Sequence, residues 1–223
     1  MKKLASLIVV TGVTTLSSMQ VSAQSKFEGA YGQVGIGYES VAPSTSTTVT
    51  YGGTNVPTTI GLSNSNSFAG TATLGYYFPV TKDFLLGIGG EYSPISGQKQ
   101  NITYSLVGQT VPGGTYQKKN SYNFFISPAL AVGTDGLAYA KVGYTGASFD
   151  TGGDTTNYTG YSLGLGYKQI ISGGLYGFGE VNYASYGNQT SSQSGVVSGS
   201  VLSTSVTSSA NVTNLLVGLG YKF

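Results

Sequence analysis

The sequence predicts an all-β protein: a closed antiparallel eight-stranded transmembrane β-barrel with short periplasmic turns and long extracellular loops. Three observations carry this. Apolar residues alternate with polar residues or glycine at period two through eight separate segments. Short and long connections alternate between those segments. Only 8% of residues are charged, against about a quarter in ordinary soluble domains, yet the mean hydropathy of +0.06 is far from that of a helical membrane protein.

Each segment matches the roughly 9–11 residues that a tilted strand needs to cross a bilayer. The first, residues 30–39, sets Val34, Ile36 and Tyr38 outward against Tyr31, Gln33 and Glu39. The second, 68–78, places Phe68, Ala72, Leu74, Tyr76 and Phe78 on the outer face. The third, 84–92, opposes Phe84, Leu86, Ile88 and Tyr92 to Gly87, Gly89 and Glu91. In the fourth, 122–132, Tyr122, Phe124, Ile126, Leu130 and Val132 point outward. The fifth, 138–148, sets Ala140, Val142 and Tyr144 against Tyr139, Lys141 and Thr145. The sixth, 159–168, sets Tyr161, Leu163, Leu165 and Tyr167 against Ser162, Gly164, Gly166 and Lys168. The seventh, 175–185, opposes Val181 and Tyr183 to Glu180 and Asn182, and the eighth, 211–223, carries Leu215, Val217, Leu219, Tyr221 and Phe223 outward.

The short connections, 79–83, 133–136 and 169–174, fall on one side. Long Ser/Thr/Asn/Gly-rich ones, such as 43–67 and 187–209, fall on the other. In the second long loop, Pro112-Gly113-Gly114 separates two alternating runs, 102–111 and 115–123. That pattern predicts a projecting β-hairpin with those three residues at its tip.

In hydrocarbon every backbone N–H and C=O needs an internal partner, so a spanning sheet must close on itself. The outward parity then meets lipid and the inward parity an enclosed lumen. Glu39, Glu91, Lys141, Lys168, Glu180 and Lys222 all fall on the inward parity. An eight-stranded interior is just wide enough for side chains to fill, and buried charge is costly unless paired. These six residues are therefore expected to form a lumen charge network. Lys141 and Glu180 lie at the most similar height above the short turns and are expected to touch, with Glu91 and Glu39 nearer the mouth. Two aromatic belts are predicted on the outer face, where rings with a polar tip suit the membrane interfaces. Tyr38, Tyr92, Tyr122, Tyr144, Tyr161 and Tyr183 lie near the loop-side ends, and Tyr76, Phe78, Phe84, Tyr167, Tyr221 and Phe223 near the turn-side ends.

Residues 1–23 read as a signal peptide, with Lys2 and Lys3, an apolar core from Leu4 to Val13, and a small-residue end at Val21-Ser22-Ala23. That core is shorter than the roughly 20 apolar residues of a transmembrane helix. Residues 24–223 remain as one barrel domain. Without Lys2 and Lys3 the 10 basic residues fall to 8, against 8 acidic ones. No basic face is clustered, so no nucleic-acid partner is expected. The chain has no His and no Cys, which removes Ser-His-Asp, Cys-His and His-ligated metal chemistry. Strings such as Gly35-Ile36-Gly37 precede no helix and no Gly-Lys-Ser/Thr, so they are not phosphate loops. The expectation is a protein without catalytic residues, metal or cofactor.

Leu215, Val217, Leu219, Tyr221 and Phe223 alternate up to a final Phe, a pattern that resembles the C-terminal signal read by the bacterial outer-membrane assembly machinery. "LAYAKVGYTGASF" at 137–149 and "GFGEVNYASYG" at 177–187 resemble the fifth and seventh strands of opacity-like barrels. The chain after residue 23 resembles the small Gram-negative outer-membrane β-barrel superfamily of opacity, OmpA and OmpX-type proteins. The resemblance implies a monomeric barrel in the cell outer membrane, with membrane lipid and the assembly machinery as partners. It also implies a structural or adhesion-like surface role toward a ligand of unstated identity. The competing reading is a narrow porin-like channel for small solutes or ions. A soluble lipocalin-like binder is disfavoured, because it needs apolar lumen positions where charge and Gly stand.

Overall fold

The structure, a computed structural model, describes residues 25–223; the expected signal peptide lies outside the described residues. Eleven strands follow in order: β1 (Gly29–Tyr51), β2 (Thr54–Val56), β3 (Thr58–Leu62), β4 (Ser65–Pro79), β5 (Phe84–Ser93), β6 (Gln100–Leu106), β7 (Gln109–Val132), β8 (Gly136–Asp150), β9 (Thr155–Ser172), β10 (Leu175–Val197) and β11 (Ser200–Lys222). Strands β1, β4, β5, β7, β8, β9, β10 and β11 form a closed antiparallel ring, sealed by β1 against β11. These are the eight segments read from the alternation. The remaining three, β2, β3 and β6, lie in the long connections, β2 on β1 and β3 on β6.

Several barrel strands are far longer than a membrane crossing. β7 has 24 residues and β1, β10 and β11 have 23 each. The segments 43–67 and 187–209, expected as polar loops, are mostly continuous sheet. β1 pairs with β11 from Tyr31↔Lys222 to Tyr51↔Leu202, and β10 pairs with β11 out to Val197↔Ser200. Hydroxyl pairs across the ribbon explain why a Ser/Thr-rich sequence stays regular there. Thr190 meets Thr207 at 2.9 Å and Ser192 meets Ser205 at 3.0 Å.

The predicted hairpin is present, but its tip is not at Pro112-Gly113-Gly114. The chain reverses at Val107-Gly108, both at positive φ (48° and 81°), a two-residue turn matched to strand twist. Pro112 instead sits in β7 opposite Thr103, and the register slips by one residue at Gly113. Proline is tolerated there because the other margin of β7 has no neighbour at that height.

The two faces separate as the alternation requires. Val34, Ile36, Leu74, Phe124, Leu165 and Val217 are exposed on the outer wall, while Tyr31, Gln33, Thr73, Ser127 and Asn182 are buried inside. All belt residues lie on the outer face, half-buried at Phe84 and exposed at Tyr38, Tyr76, Phe78, Tyr92, Tyr122, Tyr144, Tyr161, Tyr167, Tyr183, Tyr221 and Phe223. A wall of exposed large apolar side chains around a ring with no free edge is a lipid-facing surface.

Inside, rings fill the space that glycines leave. Tyr31 lies opposite Gly75, Tyr77 opposite Gly87, Tyr139 opposite Gly166 and Tyr176 opposite Gly220. In each pair the tyrosine folds across its neighbour, and a Cβ on that glycine would collide with the ring. At these four lumen positions glycine is thus the seat of an inward tyrosine on the adjoining strand.

Candidate functional site

The inward residues form stacked layers that occupy the lumen. At the end with the short turns the segment before β1 turns under the barrel. Phe27 is 3% exposed and packs edge-on against Tyr176, ring centroids 6.1 Å apart. Lys26 Nζ donates to Asp135 Oδ1 at 2.6 Å across this end, from the β7–β8 turn. That bond, helped by the Thr134 hydroxyl, holds the Asp135 carboxyl below its usual range. A depressed carboxylate value makes the tether complete above the unfolded pKa, and it is lost as pH falls through the lowered folded value. Protection of the Phe27 amide, measured against its intrinsic exchange rate at each pH, is therefore expected to hold in mild acid and to fall only below about pH 4. Loss of protection already near neutrality would show that this ion pair does not hold the segment.

Above Phe27 lies Lys168, 1% exposed. The sequence placed it in a network with carboxylates, but no acidic group lies within ion-pair distance among the described residues. Aromatic rings surround it instead. Its Nζ is 3.6 Å from the Tyr31 centroid, 5.0 Å from Tyr77, 5.2 Å from Tyr139 and 5.0 Å from Tyr176. Ring faces are electron-rich and attract a cation, the more so when water is excluded. These four rings are the ones seated on glycines, so the strand register builds the cage.

The next layer carries the ion cluster. Lys141 Nζ donates to Glu180 Oε1 at 2.9 Å and to Glu91 Oε2 at 2.9 Å, with the Phe125 ring 4.4 Å away. Tyr139 Oη donates to Glu180 at 2.7 Å and Asn182 Nδ2 donates to it at 2.6 Å. The Thr73 hydroxyl donates to Glu91 at 3.1 Å. Glu91 therefore shares the lysine with Glu180, where the sequence placed it separately toward the mouth.

Near the outer end Glu39 pairs with Lys118, and both are buried. Sequence reasoning missed Lys118 because it shares the numerical parity of the outward residues Tyr122 and Phe124. A bulge between Lys118 and Asn120 inserts one extra residue and turns Lys118 inward. The adjacent Lys118-Lys119 shortly before the fourth segment was the available signal. Lys222, the sixth predicted member, is half-buried at the rim that carries the short turns, and no carboxylate pairs with it among the described residues.

Beyond Glu39 a second apolar cluster, including Val41, Tyr116, Phe149, Tyr186 and Val212, closes the outer end. A cavity of about 480 Å³ lies over it, among strands that stand clear of the membrane, and no charged side chain lines it. Burial there pushes the Tyr116 hydroxyl up to about 12.

No family model matches this chain, and no curated protein is similar enough in sequence to match. Solved structures do match. The outer membrane protein OprG from Pseudomonas aeruginosa is similar over 90% of this chain and 99% of its own, at 16% identity and a TM-score of 0.59. Neisserial surface protein A matches over 88% of this chain and 98% of its own, at 16% identity and 0.46. Ail, the attachment invasion locus protein of Yersinia pestis, matches over 88% and 99%, at 14% identity and 0.40. Shared topology gives this chain the fold of a small outer-membrane β-barrel protein, and the apolar wall makes its outside a lipid-facing surface.

Proposed function

We propose that the protein is a non-catalytic surface barrel of structural, adhesion-like type, whose filled lumen anchors a rigid β-sheet platform outside the cell. The observation that carries this is the occupied interior. Between the ion cluster and the Lys118–Glu39 pair, the cavity reached by Glu91, Asn123, Ser162 and Asn182 measures about 30 Å³, roughly the share of one water molecule in the liquid. Below it stand Lys141, the tyrosine cage and Phe27. A permanent path for hydrated ions has no room there. The platform is supported by the same strands that cross the membrane, so what is presented outside is ordered sheet.

Refolded protein in planar bilayers is expected to give no discrete conductance steps in concentrated KCl. Stable, uniform openings would overturn the closed-lumen reading and establish the narrow channel in its place.

A further inference from the structure

Above the membrane the strands no longer form a ring, so their margins become exposed. β10 bonds β9 only as far as Tyr186↔Gly160, but stays with β11 to Val197↔Ser200. A bulge between Tyr186 and Gln189 falls where the pairing with β9 stops and bends the ribbon away from it. From residue 188 to 197, one side of β10 offers unpaired backbone groups, and every side chain along it is exposed.

Bare strand edges template pairing with another chain, and proteins usually blunt them with charge, proline, bulges or shortness. Two of the other margins are blunted. The outer part of β7 carries Pro112 and the Gly113 slip. The free part of β9, residues 155–159, is short and begins beside Asp154. Along β10, Asn188-Gln189-Thr190-Ser191-Ser192-Gln193-Ser194-Gly195-Val196-Val197 has no charge and no proline. The ribbon is also stiffened by the Thr190–Thr207 and Ser192–Ser205 bonds and backed by β1.

We propose that this edge is a homotypic docking surface, on which a second copy of the chain in a facing membrane lays its own β10 antiparallel. The inference rests on the surface-platform reading, though not on closure of the lumen. A neutral edge meets its own copy without like-charge repulsion, and the two margins match in length and backbone pattern. Strand direction selects the facing membrane. β10 runs away from the bilayer, so a copy beside it in the same membrane presents a parallel strand. A copy in an opposed membrane presents an antiparallel one, the more stable ladder, and a two-fold axis makes the contact self-complementary. The edge spans roughly 33 Å at about 3.3–3.4 Å per residue. A protein that is monomeric within each membrane thereby links two cells.

The chain has no cysteine, so single cysteines placed at 188–197 report the geometry when variants in separate proteoliposome populations are mixed and mildly oxidised. Vesicle clustering is expected, with cross-links between positions whose numbers add to a constant. Thr190→Lys/Ser192→Lys is expected to reduce clustering at least tenfold at low salt, while Gln109→Lys/Thr110→Lys, equal charge on the other hairpin, leaves it unchanged. Retention of the unboiled, fast-migrating band shows that each variant is folded. Three results overturn the proposal: cross-links of every position to its own counterpart, clustering that survives Thr190→Lys/Ser192→Lys, or neither clustering nor cross-links. Bilayer conductance reads lumen closure independently, so failure of one idea is distinguishable from failure of the other.

Discussion

Lys141→Met is expected to lower the unfolding free energy by about 3–5 kcal/mol, the usual consequence of removing one partner from a buried ion cluster. The variant leaves Glu91 and Glu180 facing each other with no cation between them. In the parent both accept from the lysine at 2.9 Å, and Glu180 is fixed further by Tyr139 and Asn182. Those two donors remain in the variant but cannot balance two negative charges in a space with room for about one water molecule. The measurement is the urea midpoint in detergent micelles, with an unchanged slope showing that the unfolded state is the same. Glu91→Gln/Lys141→Met/Glu180→Gln, which removes the whole cluster, is expected to regain most of the loss, because the desolvation cost disappears with the charges. If Lys141→Met is as stable as the parent, the carboxylates are solvated, the lumen is open to water, and the closed-barrel reading fails.

Gly166→Val should cost about 1–3 kcal/mol through overpacking. Gly166 faces Tyr139 across the β8–β9 pair, and its missing side chain is the space in which that ring lies. Displacing Tyr139 breaks its bond to Glu180 and opens one wall of the cage around Lys168, so one methyl-rich side chain disturbs two layers. Gly179 provides the contrast, since a Cβ there meets nothing within 4 Å. Gly179→Ala is expected to be neutral or to stabilise by about 0.5–1 kcal/mol, as removal of a flexible strand glycine does. Thermal midpoints in the same micelles compare the two; equal shifts would mean that the Tyr–Gly seating carries no energetic weight.

The periodicity of the sequence made the strands and faces legible. Val34, Ile36 and Tyr38 against Gln33 and Glu39 is a pattern that only a two-sided strand satisfies, and the same argument placed Glu180 beside Lys141. What stayed hidden depends on register, which is a relation between strands. Tyr31, Tyr77, Tyr139 and Tyr176 look like any other strand tyrosines until each is set opposite its glycine, so the cage around Lys168 has no one-dimensional signature. Lys118 was lost for a related reason, because one bulged residue reverses every parity beyond it. The hairpin turn at Val107-Gly108 was overlooked because Pro112-Gly113-Gly114 offered stronger turn chemistry nearby; a strand margin with no neighbour accommodates both residue types.

The seam between β1 and β11 has a kinetic consequence. It joins segments from opposite ends of the described chain through an unbroken ladder, so the cylinder cannot be completed by local zippering. Long-range strand pairing of this kind is slow, and until it forms, the curled sheet carries two raw margins apt to join the wrong neighbour. The maturation of this protein is thus governed by how those margins are shielded before they find each other.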